Sequence, residues 1–175
     1  QLFGKTKLIK LASVHMDRLA AYHGAKLKMP PRIKVLEAIS SIAAGRVKKV
    51  NTGIYKVKSS KGDREYTVII KSNSVFSNDN GTIYRGYIGY PIIAALMMEG
   101  VLPRDERIGK AIKDIPWADM NEQLKNYRMV EEKVKEVAKQ NGVNPEEIDE
   151  YVEMVMEALS MITLKFKDMR QLGLM

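Results

Sequence analysis

The chain has 175 residues, of which 45% are apolar and 29% charged, with no cysteine, 2 histidines and a formal net charge of +8. Such a length fits one domain, and such an apolar fraction can close a core, which separates the chain from intrinsically disordered sequences. Without cysteine, disulfides, thiolate metal sites and cysteine nucleophiles are excluded.

The first apolar residues are interrupted by Lys5, Lys7 and Lys10, which is not the pattern of a secretory leader. The opening Gln1 suggests that something upstream has been removed. Residues 1–12 read as a short strand or docked arm. Ser13 reads as the cap of a helix running to about Lys28, with Met16, Leu19, Ala20, His23 and Leu27 along one face. Met29-Pro30-Pro31 breaks that helix, and Pro31 opens a second one to about Ala44, with Val35, Leu36, Ile39 and Ile42 inward and Gly45 as its stop.

From Arg46 to Ile70 the composition turns to Val, Ile, Tyr and Thr, punctuated at Asn51-Thr52-Gly53 and Ser60-Lys61-Gly62-Asp63. Tyr55 and Val57 alternate with Lys56 and Lys58, and Tyr66, Val68 and Ile70 alternate in the next segment. This predicts an antiparallel meander of two or three strands with one face inward. Residues 72–81 are polar and read as a surface loop.

Everything from Pro91 onward reads as helical. Pro91 to Glu99 is short, apolar on nearly every side and stopped by Gly100. Its apolar run, Ile92 to Met98, is far shorter than the roughly 20 residues of a membrane span. Pro103 to Ile115 follows. Then comes a longer helix, Trp117 to Asn141, striped by Trp117, Met120, Leu124, Tyr127, Val130, Val134 and Val137. Asn144, Pro145 and Glu147 form a capping signature for the last helix, over about 145–172. Ile148, Val152, Val155, Leu159, Ile162, Phe166 and Met169 recur there at alternating spacings of four and three. Tyr151, Met154, Ala158, Met161 and Leu164 widen that face beyond one partner helix, which raises a homodimer seam besides packing within the chain.

The expected fold class is α+β: a small antiparallel β-meander with N-terminal helices and a C-terminal antiparallel helical hairpin. The whole of 1–175 is read as one domain, basic over about 1–90 and helical over about 91–175.

The charge is asymmetric. Residues 1–73 carry 16 Lys and Arg against 4 Asp and Glu, whereas residues 74–175 carry 13 against 17. Arg46, Lys48, Lys49, Lys56, Lys58, Lys61 and Arg64 concentrate the positive charge on the predicted hairpin, so DNA or RNA is the expected partner. Two helices before a basic hairpin is the order of a winged helix-turn-helix. The third helix that usually precedes the wing is missing, so phosphate contact is expected rather than groove insertion. The competing expectations are a protein-interaction or oligomerisation module built on the last helix, and a small enzyme.

An enzyme would have to work from Asp79, Tyr84, Arg85, Tyr87 and Tyr90, and together with Asn78 these read as an anion or ligand loop, interleaved with Gly81, Gly86 and Gly89. Glycines permit close backbone approach, and Tyr with Arg can stack on a base or hold a phosphate. The segment from Phe76 to Gly81 lacks the alternating ligands and closing glutamate of a calcium loop. His15 and His23 are two helical turns apart and do not share a metal without a bend. No metal, cofactor or membrane partner is expected, catalysis is the less favoured reading, and the compartment implied is cytoplasmic.

Overall fold

The computed structural model describes residues 24–174. The predicted helix from Ser13, with His15 and His23, lies outside the described residues up to position 23. Its last few positions are extended rather than helical. Leu27 N–H donates to the Leu164 carbonyl at 2.9 Å, Phe166 N–H to Ala25 at 2.8 Å and Lys28 N–H to Gly86 at 2.8 Å.

Helix α1, Ile33–Ala43, follows the proline pair and ends before Gly45, as its pattern predicts. Val35, Leu36 and Ile39 are buried, and burial of each such side chain favours folding by about 1.5–3 kcal/mol. Glu37, Ser40 and Ser41 are buried too, because α1 is contacted by helices on several sides.

Strands β1 (Val47–Asn51), β2 (Ile54–Lys58), β3 (Glu65–Lys71), β4 (Ser74–Ser77) and β5 (Lys165–Phe166) form one sheet in that order. The first three pairings are antiparallel and β4–β5 is parallel. The β1–β2 turn needs Gly53: its φ is 68°, and a Cβ there would strike the Ile70 carbonyl. Part of the expected loop over 72–81 is therefore strand. Val75 and Ser77 alternate inward across from Ile70 and Val68, a period of two that the surrounding polar residues conceal.

A π-helical turn, Gly81–Arg85, leads to α2 (Tyr90–Met98), buried along almost its whole length. Helix α3 is Glu106–Ile112, shorter than its apolar pattern implied, because Asp105 caps it by accepting Ile108 N–H at 3.0 Å. The single helix expected over Trp117 to Asn141 is two, α4 (Trp117–Leu124) and α5 (Tyr127–Gln140). Lys125 takes φ of 50°, and Asn126 caps α5 by accepting the N–H groups of Arg128 and Met129. Tyr127, expected inside, is 49% exposed.

Helix α6, Pro145–Ser160, carries the predicted capping box, Glu147 Oε2 accepting Asn144 N–H at 2.8 Å. It does not run to 172. Ile162, Leu164 and Phe166 also satisfy a period of two, and Phe166 enters the sheet as β5 beside Val75. Of the face read as a homodimer seam, Ile148, Val152, Val155 and Leu159 are buried within the chain. Tyr151 is buried as well, its hydroxyl donating to the Pro103 carbonyl at 2.8 Å, while Met154 and Met161 remain exposed. The fold is α+β, and buried apolar residues from Leu27 to Phe166 form one core cluster. Among the described residues no helix is long and apolar enough to cross a membrane.

Candidate functional site

Inward-facing Ser77 ends β4, and Asp79 follows two residues later, so its carboxylate is carried under the π turn. Asp79 is 5% exposed. Its Oδ1 accepts the Ser77 hydroxyl and, at 2.8 Å, the Thr82 hydroxyl, while Oδ2 accepts Thr82 N–H at 3.1 Å. Thr82 Oγ1 in turn accepts Gly89 N–H at 3.2 Å, which ties the π turn to the start of α2. The Asp79 carboxylate occupies the space where a Cβ on Gly89 would sit, and the Tyr87 ring does the same at Gly81. Burial pushes the Asp79 carboxyl above its ordinary value, against the pull of Ser77, Thr82 and the Lys34 charge.

One turn of α1 supplies the facing pair. Lys34 Nζ meets Glu37 Oε2 at 2.9 Å, and Glu37 Oε1 accepts Asn121 Nδ2 from α4 at 2.7 Å. Lys34 also lies over the Tyr127 ring, 5.5 Å from its centroid. Burial pulls the Lys34 ammonium down and is outweighed, chiefly by Glu37, so that it is held above its ordinary value. Trp117 is fixed by its indole N–H, which donates to Ser40 Oγ at 2.8 Å, and Ser40 donates onward to the Ile112 carbonyl.

Lys34, Glu37, Asp79, Trp117 and Asn121 border a cavity of about 230 Å³. Arg46, Ser60, Tyr66, Tyr87 and Tyr90 complete the wall. Tyr66 and Tyr90 meet edge to face, with ring centroids 6.2 Å apart. Arg46 is anchored through Nη1 to the Lys58 carbonyl at 2.7 Å. Burial pushes the Tyr90 phenol up, and burial with the neighbouring Tyr127 pushes up that of Tyr87, so both remain protonated donors at neutral pH.

Of the glycine-tyrosine cluster, Asp79, Tyr87 and Tyr90 line the cavity. Asn78 instead accepts Thr67 N–H at 2.9 Å, and Tyr84 and Arg85 are exposed outside it. The seven basic residues do not form one face. Lys48 and Lys56 are Cα partners across β1 and β2, and with Lys58 they occupy the sheet face opposite Tyr55 and Val57. Lys49 falls on the other side, its Nζ 6.0 Å from the Tyr55 ring centroid. Lys61 pairs with Asp119 at 3.1 Å, Arg46 joins the cavity wall and Arg64 is exposed just before β3. The pairing of this hairpin into a five-stranded sheet is not the arrangement of a winged helix. Among the described residues no three His, Cys, Asp or Glu are grouped to hold a metal.

Sequence reasoning missed Lys34, Glu37, Trp117 and Asn121. One signal was available: Glu37 interrupts the run Val35-Leu36-Glu37-Ala38-Ile39, and a carboxylate at a core position needs a partner.

Residues 27–165 match the sequence family described as "Uncharacterised conserved protein UCP014422". The chain belongs to this family. The matched span contains every residue of the cavity wall. Its two ends meet in the structure, where Leu27 and Leu164 share a backbone hydrogen bond. No curated protein and no solved structure matches the chain.

Proposed function

We propose that this protein binds a small, acceptor-rich anion in the cavity between α1, α4 and the π turn. One observation carries the reading. The two wall carboxylates are already engaged, Glu37 by Lys34 and Asn121, Asp79 by Ser77 and Thr82. The remaining polar wall is therefore rich in donors: the Arg46 guanidinium, the Lys34 ammonium and the phenols of Tyr66, Tyr87 and Tyr90. At about 230 Å³ the cavity suits a ligand smaller than a typical drug molecule, or one end of a larger one. Thermal unfolding with phosphate, pyrophosphate or citrate, against chloride at equal ionic strength, tests it. Ligand at about 100 times its dissociation constant stabilises the native state by about 2.7 kcal/mol. Arg46→Gln should remove that gain. A gain no larger than that of chloride, or one that survives Arg46→Gln, counts against the proposal.

A second reading has its own observation. Lys48 and Lys56 are Cα partners on one sheet face, where Lys56 Nζ donates to Thr67 Oγ1 at 2.6 Å, and like charges directly opposite weaken strand pairing unless an anion lies across them. With Lys58 next along the strand, this face is proposed to contact nucleic-acid backbone through about three phosphates.

A further inference from the structure

The side-chain amide of Asn121 has its direction fixed by a neighbour that can only accept. Glu37 pairs with Lys34, whose Nζ sits 2.9 Å from Oε2, and its other oxygen, Oε1, faces Asn121 as an acceptor. The NH2 end of Asn121 therefore faces Glu37, at 2.7 Å. The opposite end, Oδ1, is buried and meets no donor among the described residues. Asn121 lines the cavity together with Trp117, which lies one helical turn earlier on α4. A buried acceptor left unmatched costs about 1–3 kcal/mol. Among the described residues it is the one buried side-chain polar atom of a cavity-wall residue that has no hydrogen-bond partner.

Resting on the anion reading above, we infer that the ligand carries an N–H or O–H donor in addition to its anionic group, and that Asn121 Oδ1 is the atom that recognises it. Hydroxy acids, amino acids and sugar phosphates share this chemistry, whereas simple alkyl carboxylates and alkyl phosphates lack it. The pair Lys34 and Glu37 acts as a positioning device, holding the amide with its NH2 toward Glu37 and its oxygen turned away from that carboxylate.

Trp117 is the only tryptophan of the chain and lines the cavity, so its fluorescence reports occupancy. Two matched pairs serve as probes: propyl phosphate against glycerol 3-phosphate, and propionate against lactate. The donor-bearing member of at least one pair should bind about tenfold more tightly, the range expected for one buried hydrogen bond. Asn121→Ala should erase that preference while both members still bind. Glu37→Gln is the sharper variant. Lys34 would hold the new amide's oxygen, its NH2 would face Asn121, and Asn121 would have to turn and present its own NH2 to the cavity. The preference should then disappear or reverse. Equal affinities within both pairs, or a preference unchanged by Asn121→Ala, would overturn the donor inference and leave anion binding standing. No fluorescence response to any of the four probes would overturn both.

Discussion

Gly89 and Asp79 are packed so closely that the Asp79 carboxylate fills the position of a Cβ on Gly89. Gly89 itself has φ of −71° and ψ of 162°, a conformation open to any residue. The glycine is thus required by contact alone. Gly89→Ala should destabilise the protein by about 1–3 kcal/mol or more, the usual cost of overpacking. In an Asp79→Ala background the same change should cost little, a coupling that denaturant unfolding of the two single variants and the double variant would measure. Additive effects would show that the two residues are not in contact.

The Asp79 carboxyl is held above its ordinary value near 3.8, with burial as the leading cause. The folded state therefore retains its proton to higher pH than the unfolded chain does. The associated stabilisation is fully present below about pH 4 and is lost as pH rises through the folded-state value. Asp79→Asn cannot titrate, so the stability of the native protein relative to this variant should fall as pH rises from about 4. Urea midpoints for both proteins across the acid range check this. A difference that grows with pH would mean that the Lys34 charge, not burial, governs the site.

Tyr55 is completely buried on β2, and its hydroxyl closes no hydrogen bond among the described residues. Burial first, then the nearby Glu99 carboxylate, push its phenol up to about 12. Tyr55→Phe keeps the ring, including its contact with Lys49, and removes an unpaired polar atom. Stability should stay level or rise by about 1 kcal/mol. A loss of more than about 1 kcal/mol would show that the hydroxyl has a partner that holds it.

The elements best foreshadowed by sequence are those whose period is unambiguous: α1 with its flanking prolines and Gly45, the hairpin turning at Gly53, and the capped start of α6. Misreadings fall where two periods coincide or where polarity hides one. Leu159, Ile162 and Phe166 fit a heptad, yet Ile162, Leu164 and Phe166 fit a strand, and the free side of β4 selects the strand. Lys125 and Asn126 break the backbone between α4 and α5, and Tyr127, which continues the apolar spacing in the sequence, is left exposed just after the break. Adjacent Lys48 and Lys49 read as one basic patch, but in a strand neighbours alternate faces. The glycine spacing around Asp79, Tyr87 and Tyr90 marked a loop that borders the cavity. Lys34, Glu37 and Asn121 could not be joined to it, because only tertiary packing brings α1 and α4 there.

For the basic sheet face, three phosphate contacts predict that log affinity for duplex DNA falls against log salt with a slope of roughly −3. Replacing Lys48 and Lys56 together by glutamine should make that slope shallower by roughly two and weaken all sequences alike. Filter binding at about 50 mM salt decides it, where phosphate-driven association is strong. If neither DNA nor RNA is retained there, this face is a solvated lysine edge. The double variant should then only relieve the repulsion between the two side chains.

The proposed anion site is tested most directly by a phosphate titration followed by nitrogen–proton correlation NMR. Trp117 provides a single indole N–H beside the cavity, Arg46 a guanidinium N–H in its wall and Asn121 a side-chain amide. Saturable shifts at all three, with one common dissociation constant and no matching change at the exposed Arg64, are the predicted result. Shifts that never saturate, or that are as large at Arg64 as at Arg46, would contradict an anion site in this cavity.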